Sequence, residues 1–505
     1  MANISLSMIV KNEEKYLREC LESVKDLVSE IVIVDTGSTD ATLSIAEEYG
    51  AKIFDFDWVD DFSAARNFAL SKTTGDWVLY LDADERLDEQ SKEEVRRRTE
   101  NARKTGFYCV VKNLDSEKSR DNSFIYVRLF ANQPNIEFTG KVHEQIEDSL
   151  KKNDYLLVNS KILINHIGYN ISLGEKQKKA QRNLNLLIKE YSRNNSPYYE
   201  YQLAQTYKVL NDEENAIKYF QKAGDSSKLD RLYRAECYSS LALMAHTNHK
   251  PAEAEKLIMQ SLKLVDKQPF AYLLASKISY RMGDLGKAEE RCKKSYELNG
   301  DVASSHNNNN LHILIDPEEI IFYGLTLAFN NHTAHYIKYY QQELEKIYKV
   351  RYPSDYERYF MITKKILQNT PMSDDEIESV NKIIKKINLS FFLYIIGNYK
   401  NNDTKLMILE NLARRIDHEG DIKKLLAKTY DEIGNTDKAI ATIEEDQTIQ
   451  EEDPATLFYL ISFYIKKGNF DKMKDSLQTL EKNFKHIPDV AVRISVLKEK
   501  LKAFS

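Results

Sequence analysis

Much of the chain repeats itself, and that limits what it can fold into more than any other feature. Ala204, Tyr207, Ala216, Phe220 and Ala223 stand at offsets 0, 3, 12, 16 and 19. Ala242, Ala245, Ala254, Ile258 and Ser261 repeat those offsets 38 residues later, and Ser276, Ser279, Ala288, Cys292 and Ser295 follow 34 residues after that. Ala427, Tyr430, Gly434, Ala439 and Ile443 fit the same frame, as do Ile461, Tyr464, Gly468, Met473 and Leu477 behind Pro454. A unit of this length is one helix pair that cannot bury its apolar face alone, so neighbouring units must stack. The small residues let the two helices of a unit approach, and the aromatics fill the gap to the next. Residues 173–300 and 421–505 are therefore expected to be a helical array. Between them, 301–420 begins with the Asn-rich run His306–Asn310, an expected exposed loop, and continues helical, rich in Tyr, Ile and Lys, without a clear repeat. It is read as degenerate repeats or as a dimerisation unit.

The first 172 residues have another rhythm. Short apolar runs at Ile4–Val10, Ile31–Val34, Lys52–Phe56 and Trp77–Leu81 alternate with helical spacing at Glu14–Leu27, Ala41–Tyr49 and Ser63–Ser71. Strands alternating with helices predict βαβ units and a parallel sheet. Phe107–Val111, Phe124–Phe130 and Leu156–Ile164 add later strands. Trp58 and Trp77 are expected in the core rather than as stacking platforms. A 505-residue chain with 42% hydrophobic and 30% charged residues is long enough for about three folded domains, which excludes disorder. Its 16 Gly and 9 Pro are too few for a fibrous or linker-rich chain.

Charge excludes a nucleic-acid binder. Residues 1–172 hold 22 Lys and Arg against 31 Asp and Glu, and the remainder holds 50 against 47, so no basic stripe exists. No run approaches 18 uninterrupted apolar residues, and the N-terminus has no basic segment followed by a long apolar one, so neither a transmembrane segment nor a leader is expected. Cys20, Cys109, Cys237 and Cys292 are scattered without metal-ligand spacing, which fits a reducing compartment.

The chemistry gathers where strands end. The strand Val78–Leu81 runs into Asp82-Ala83-Asp84-Glu85. In open α/β sheets ligands bind beyond the carboxyl ends of strands, and two carboxylates there suit Mg2+ or Mn2+ with the phosphates of a nucleotide. A lone pair of this kind is commonly an exposed turn. Here three further polar segments accompany it: Lys11-Asn12-Glu13-Glu14, Asp35-Thr36-Gly37-Ser38-Thr39-Asp40, and Asp61-Phe62-Ser63-Ala64-Ala65-Arg66-Asn67.

With these motifs, residues 1–172 resemble a family 2 glycosyltransferase of the GT-A fold, an α/β Rossmann-like domain. The helical remainder resembles a tetratricopeptide-repeat solenoid. The combination is similar to bacterial protein and peptide glycosyltransferases, including the bacteriocin S-glycosyltransferases. The resemblance implies a UDP-sugar donor, with Asp35 and Arg66 at the uracil and Val10, Lys11 and Asn12 lining the nucleoside pocket. It places Asp82 and Ala83 at the ribose or metal, and Asp84 as main ligand of a Mn2+ or Mg2+ on the diphosphate. It also implies inversion at the anomeric carbon. Two later clusters, Gly140–Glu144 and Asn165–Tyr169, supply Glu144 as base with His143 as its support or as an acceptor contact, and His166 as a further metal or phosphate contact. The acidic pair that serves as base in many members is not found here.

The expected function is therefore metal-dependent, inverting transfer of a sugar to a Ser, Thr or Cys side chain of a polypeptide held by the repeats, in a bacterial cytoplasm. A polysaccharide or lipid-linked oligosaccharide acceptor is the alternative within the class. A non-catalytic repeat scaffold is the alternative outside it. The repeats have a competing use in a homodimer.

Overall fold

The computed structural model describes residues 2–100, 104–113, 122–142, 144–167, 173–304, 315–385, 388–416, 420–446, 450, 453–485 and 487–502. The chain divides into two compact units, Met1–Ile320 and Ile321–Ser505.

The first unit opens on an eight-stranded sheet: β1 Ile4–Val10, β2 Glu30–Asp35, β3 Lys52–Asp55, β4 Trp77–Tyr80, β5 Glu85–Leu87, β6 Thr105–Asn113, β7 Asn122–Ala131 and β8 Leu156–His166. Five helices intervene: α1 Leu17–Val24, α2 Thr42–Glu48, α3 Phe62–Lys72, α4 Ser91–Thr99 and α5 Glu147–Lys152. The strand order is β3-β2-β1-β4-β7-β6-β8-β5. The first four strands run parallel, with Val10 opposite Asp35 and Asp35 opposite Asp55. The expectation of a parallel sheet holds for that half and for the pair β6 and β8. β7 is antiparallel to both β4 and β6, and β5 is antiparallel to β8. Near-continuous apolar runs such as Ile-Val-Ile-Val in β2 arise because both faces of a parallel strand are covered.

The chain steps outward from β1 through β2 to β3, then crosses back to lay β4 on the other side of β1. That reversal opens a crevice beyond the carboxyl ends of β1 and β4. The opposite edge of these strands is closed by a polar knot: buried Glu30 accepts from Ser5, from Lys52 at 2.7 Å and from the Thr74 N–H at 2.8 Å. Trp77 lies in the core, stacked on Phe107 at 5.7 Å. Trp58 is only half-buried, against Phe62, with Nε1 donating to Asp60.

Seven helices complete the unit: α6 Leu173–Arg193, then three hairpins, α7 Pro197–Val209 with α8 Glu213–Asp225, α9 Arg231–Thr247 with α10 Pro251–Leu264, and α11 Pro269–Arg281 with α12 Leu285–Ser304. The periodic small residues Ala204, Ala216, Ala242, Ala254, Ser276 and Ala288 are all fully buried, where the paired helices approach. Each hairpin turns on a residue with left-handed φ: Asn211, His249 and Gly283.

The second unit is helical throughout its described residues. Gly420–Glu432 with Thr436–Glu444, and Pro454–Lys467 with Phe470–Phe484, are the two pairs the periodicity predicts. Residues 315–416, where the sequence shows no repeat, also fold as successive helices, and His332 and Asn369 adopt the same left-handed turn as Gly434 and Gly468. The run His306–Asn310 lies outside the described residues. No helix among the described residues is long and apolar enough to cross a membrane, and no disulfide joins the four cysteines.

Phe220 is a fully buried aromatic of the first repeat. Phe220→Ala is expected to cost about 3–5 kcal/mol, read as a lower denaturation midpoint of the first unit.

Candidate active site

Every strand-end motif read from the sequence lies at or beside the crevice. The loops after β1 and β2 are stitched together. Asn12 sits at φ 56°, a backbone region that Asn tolerates; its N–H donates to Ser38 and its Oδ1 accepts from the Thr39 N–H at 2.8 Å. The Glu13 N–H donates to Thr42, and the Glu14 carboxylate accepts from the Ala41 N–H. The Asp35 carboxylate is occupied by its own turn, accepting from the N–H groups of Gly37 and Ser38 and from the Ser38 hydroxyl. Gly37 has φ 104°, which favours glycine, and the Lys11 amine stands 3.9 Å from where its Cβ would be. Val10 is buried at the strand end, and its carbonyl accepts from Thr36.

The centre of the site is Arg66. Asp61 starts α3 by accepting from the Ala64 N–H at 3.0 Å, and one turn later Arg66 is buried to 7% exposure. Its Nε donates to Glu144, and its other arm donates to Asp82 Oδ1 at 2.7 Å. Tyr80 and Phe138 present their rings to the guanidinium at 5.4 and 5.7 Å. One cation thus joins α3, the end of β4 and the segment after Thr139.

A second arginine, to which the sequence reading gave no role, completes this layer. Arg128 of β7 lies on the Tyr80 ring at 4.6 Å, donates to Glu85 at 2.6 Å and stands 3.5 Å from Asp82 Oδ2. Glu85 is buried to 2% exposure, and its other oxygen accepts the Asp82 N–H at 2.9 Å. Burial disfavours the Asp82 carboxylate, but Arg66 and Arg128 outweigh it and hold the group well below its ordinary value. Burial pushes Glu85 upward in spite of Arg128. No sequence pattern links residue 128 to residue 85; the antiparallel pairing of β7 with β4 does.

The short strand β5, absent from the sequence expectation because it spans only three residues, pairs with β8 and sets Glu85 opposite His166. His166 Nε2 therefore lies 3.3 Å from Asp84 Oδ2. Burial disfavours the charged imidazole, yet the bond to Asp84 and the charges of Asp84, Glu85 and Asp82 raise it overall. The expected triad of metal ligands, Asp82, Asp84 and His166, is only partly assembled. Asp84 and His166 form a pair, Asp82 is held by arginine, and no cluster of three His, Cys, Asp or Glu residues suited to a metal occurs among the described residues. Ala83 is buried between the two aspartates, and its carbonyl accepts from Arg86. His143, expected to support Glu144, lies outside the described residues, as do Gly168 and Tyr169.

Glu13, part of a motif but given no role, is the other missed group. Its carboxyl is pushed up to about 7, first by burial and then by the charges of Asp84, Asp82 and Asp40, against the opposing pull of Lys179 on α6. A carboxyl poised near neutrality beside a cleft is a feature of acid–base sites.

The helical array reaches this site. Val142, two residues before Glu144, is buried in a cluster with Leu184 and Leu187 of α6 and Leu203 of α7. Lys141 pairs with Glu190 of α6 at 2.9 Å, and its carbonyl accepts the Phe62 N–H at the start of α3. Arg182 of α6 covers the Phe62 ring. Both anchors of the Arg66 clamp are therefore braced by the first helices of the array.

Two measurements test this electrostatic layer. Arg128→Gln is expected to cost about 3–5 kcal/mol, because it strands the buried Glu85 carboxylate, and adding Glu85→Gln is expected to recover most of that loss in a double-mutant denaturation cycle. In metal-free buffer the folded state keeps a proton on Glu13 that the unfolded chain has released above its ordinary value of 4.5. Stability is then expected to fall as pH rises from 4.5 towards 7. Glu13→Gln should flatten part of that fall in melting curves taken across the window.

Comparison with known proteins agrees with the geometry. Residues 5–151 match the family Glycosyl transferase family 2, and residues 201–223 match Tetratricopeptide repeat. A TPR repeat-containing protein of Synechococcus elongatus is 40% identical over 188 residues, 36% of this chain and 46% of that one. The SPbeta prophage-derived glycosyltransferase SunS of Bacillus subtilis is 31% identical over 232 residues, 45% of this chain and 54% of that one. The chain thus spans about half the length of these curated relatives. A solved glucosyl-3-phosphoglycerate synthase of Mycobacterium tuberculosis, in complex with Mn2+, UDP and glucosyl-3-phosphoglycerate, has 23% identity over 22% of this chain and 44% of its own, with a TM-score of 0.19. The chain carries a family 2 glycosyltransferase domain at its N-terminus, followed by tetratricopeptide repeats.

Proposed function

We propose that this protein transfers a sugar from a UDP-sugar to a Ser, Thr or Cys side chain of a polypeptide, with inversion and with a divalent metal. The observation that carries the reading is the Arg66 clamp at the switch point of the sheet. It holds a strand-end Asp, Asp82, and an acceptor-side Glu, Glu144, on one buried cation.

The nucleoside would lie against Val10, Lys11 and Asn12, with Asp35 and Arg66 on the uracil side and Asp82 and Ala83 bordering the ribose. The metal fits as a two-residue site. Asp84 and His166 stand side by side with oxygen and nitrogen donors, and Mg2+ and Mn2+ commonly complete such a shell with substrate phosphates and water. The local field also favours a cation: the carboxylates of Asp84, Asp82 and Asp40 are close enough to raise Glu13, so a diphosphate needs positive charge in order to enter. When bound, the ion would neutralise the charge that builds on the departing diphosphate.

The chain's own groups carry the remaining steps. The acceptor oxygen or sulfur attacks the anomeric carbon from the face opposite the diphosphate. The bond to the diphosphate oxygen breaks, and its electron pair leaves with UDP. The acceptor's proton passes to the Glu144 carboxylate, which Arg66 keeps oriented. A base placed in this way contributes about 10²–10⁴-fold. The repeats support a polypeptide acceptor, since such arrays present concave surfaces to extended chains. The buried cysteines and the absence of a membrane-spanning helix among the described residues are consistent with work in the cytoplasm.

Melting with a panel of nucleotide sugars, with and without Mn2+, tests the donor site, because a ligand of the folded state raises the midpoint. A Mn2+-dependent rise with a UDP-sugar is expected, and Asp84→Ala should abolish both the rise and about 10²–10³-fold of the turnover. Full turnover by Asp84→Ala would overturn the metal assignment.

A further inference from the structure

The D-x-D segment is a tight turn with its ends bonded to each other. The Glu85 N–H donates to the Asp82 carbonyl at 2.9 Å, which puts Ala83 and Asp84 at the two central positions. The bond is returned, since the Asp82 N–H donates to the Glu85 carboxylate at 2.9 Å. The carbonyls between are taken as well. Arg86 donates to Ala83 at 2.7 Å and to Tyr16, just before α1, at 2.6 Å. The Ile167 N–H donates to Asp84 at 2.9 Å. Asp84 is thus carried on a backbone fastened in front by the Glu85 side chain and behind by the residue after His166.

Glu85 does this from inside the protein. It is almost wholly buried, so it cannot itself meet a ligand in the crevice. Arg128 Nη2 donates to its Oε1 at 2.6 Å, and the Asp82 N–H occupies its Oε2. Arg128 is also buried, with its guanidinium against the Tyr80 ring. A carboxylate that accepts on both oxygens from donors on two separate segments has one orientation open to it. Groups placed in this way, behind a ligating carboxylate, orient it without touching the ion or the substrate.

We propose that Glu85, oriented by Arg128, is a positioning residue for sugar transfer, and that it presets the Asp82–Glu85 turn so that Asp84 stands beside His166 ready for a divalent ion and the donor's diphosphate. The inference rests on the reading of Asp84 and His166 as the metal site. Asp84 Oδ2 already lies 3.3 Å from His166 Nε2. Glu85 also pairs with His166 in the sheet, so the residue that closes the turn sits opposite the second ligand. Without the Glu85 carboxylate the Asp82 N–H loses its acceptor, and the front of the turn keeps only its main-chain bond.

Two full-chain variants test it, with Mn2+ and UDP as the probes and the UDP-dependent melting rise as the readout. Glu85→Gln keeps the size of the side chain but trades one acceptor for an N–H, so it can serve Arg128 or the Asp82 N–H and not both. The Mn2+ concentration that gives half the rise is expected to increase about 10–100-fold. The double variant Arg128→Gln, Glu85→Gln is expected to regain most of the folding stability that Arg128→Gln loses, and still to need the higher Mn2+ concentration. Stability recovered without metal affinity is a split that a merely structural role does not produce. The single variant decides alone if the double variant does not fold. If either folded variant reaches half the rise at the Mn2+ concentration of the unaltered chain, this inference is overturned and the parent reading stands. If the unaltered chain shows no Mn2+-dependent rise with UDP, the parent reading falls, and this inference with it.

Discussion

The site depends on one buried guanidinium. Arg66 is taken out of water and returned two carboxylates and two ring faces, so its desolvation is offset by bonds that also fix geometry. Because its partners come from β4 and from the segment after Thr139, the clamp converts secondary structure into a site. Remove it, and Glu144 loses its cation while Asp82 keeps only Arg128 at 3.5 Å. Arg128 has the matching role in the next layer inward, where it neutralises Glu85, whose second oxygen holds the Asp82 backbone. Tyr80 lies against both cations and keeps them apart at low dielectric.

The same clamp explains why α6 and α7 belong with the N-terminal domain and are not an appended adaptor. Glu144 lies on a segment without regular secondary structure, and such a segment orients a functional group only if something packs against it. Val142 inserted among Leu184, Leu187 and Leu203, and Lys141 held by Glu190, supply that support from α6 and α7. A catalytic domain cut before α6 would leave Val142 and Phe62 without their apolar cover and Glu144 without its brace.

The features of this arrangement that were legible in the sequence are those written in local signals. Strands β1, β2 and β4 announce themselves as apolar runs because both faces are covered, and the repeats announce themselves because Ala216, Ala254 and Ala288 must be small for paired helices to approach. The polar segments at 11–14, 35–40, 61–67 and 82–85 were legible because each stands where a strand ends or a helix begins. What stayed hidden depends on pairing between distant segments. Arg128 is one charge in an ordinary alternating strand, and only its antiparallel place beside β4 brings it to Glu85. β5 is too short to show a period, yet it sets His166 beside Asp84. Residues 315–416 keep the helix-turn-helix backbone without its sequence signature. His332 and Asn369 replace glycine at the left-handed turn, and large side chains replace the small contacts, as where Tyr340 lies against Gly324. The backbone geometry of a repeat tolerates such exchanges, and a pattern of residue types does not survive them.

Charge accounts for the way the two halves of the crevice differ. Around the clamp, the acids Asp82, Glu85 and Glu144 are held by two cations, Arg66 and Arg128. Beside it, Glu13, Asp40 and Asp84 stand with His166 and Lys179 as the opposing cations. Burial first, and then that imbalance, keeps the Glu13 proton towards neutral pH. The charges of Asp84, Asp82 and Asp40 add to that burial, so positive charge near Asp84 would weaken the part of the retention that charge supplies. A half whose carboxylates are held by arginine thus lies beside a half whose carboxylates face fewer cations, and the two differ in what they leave open to an incoming charge.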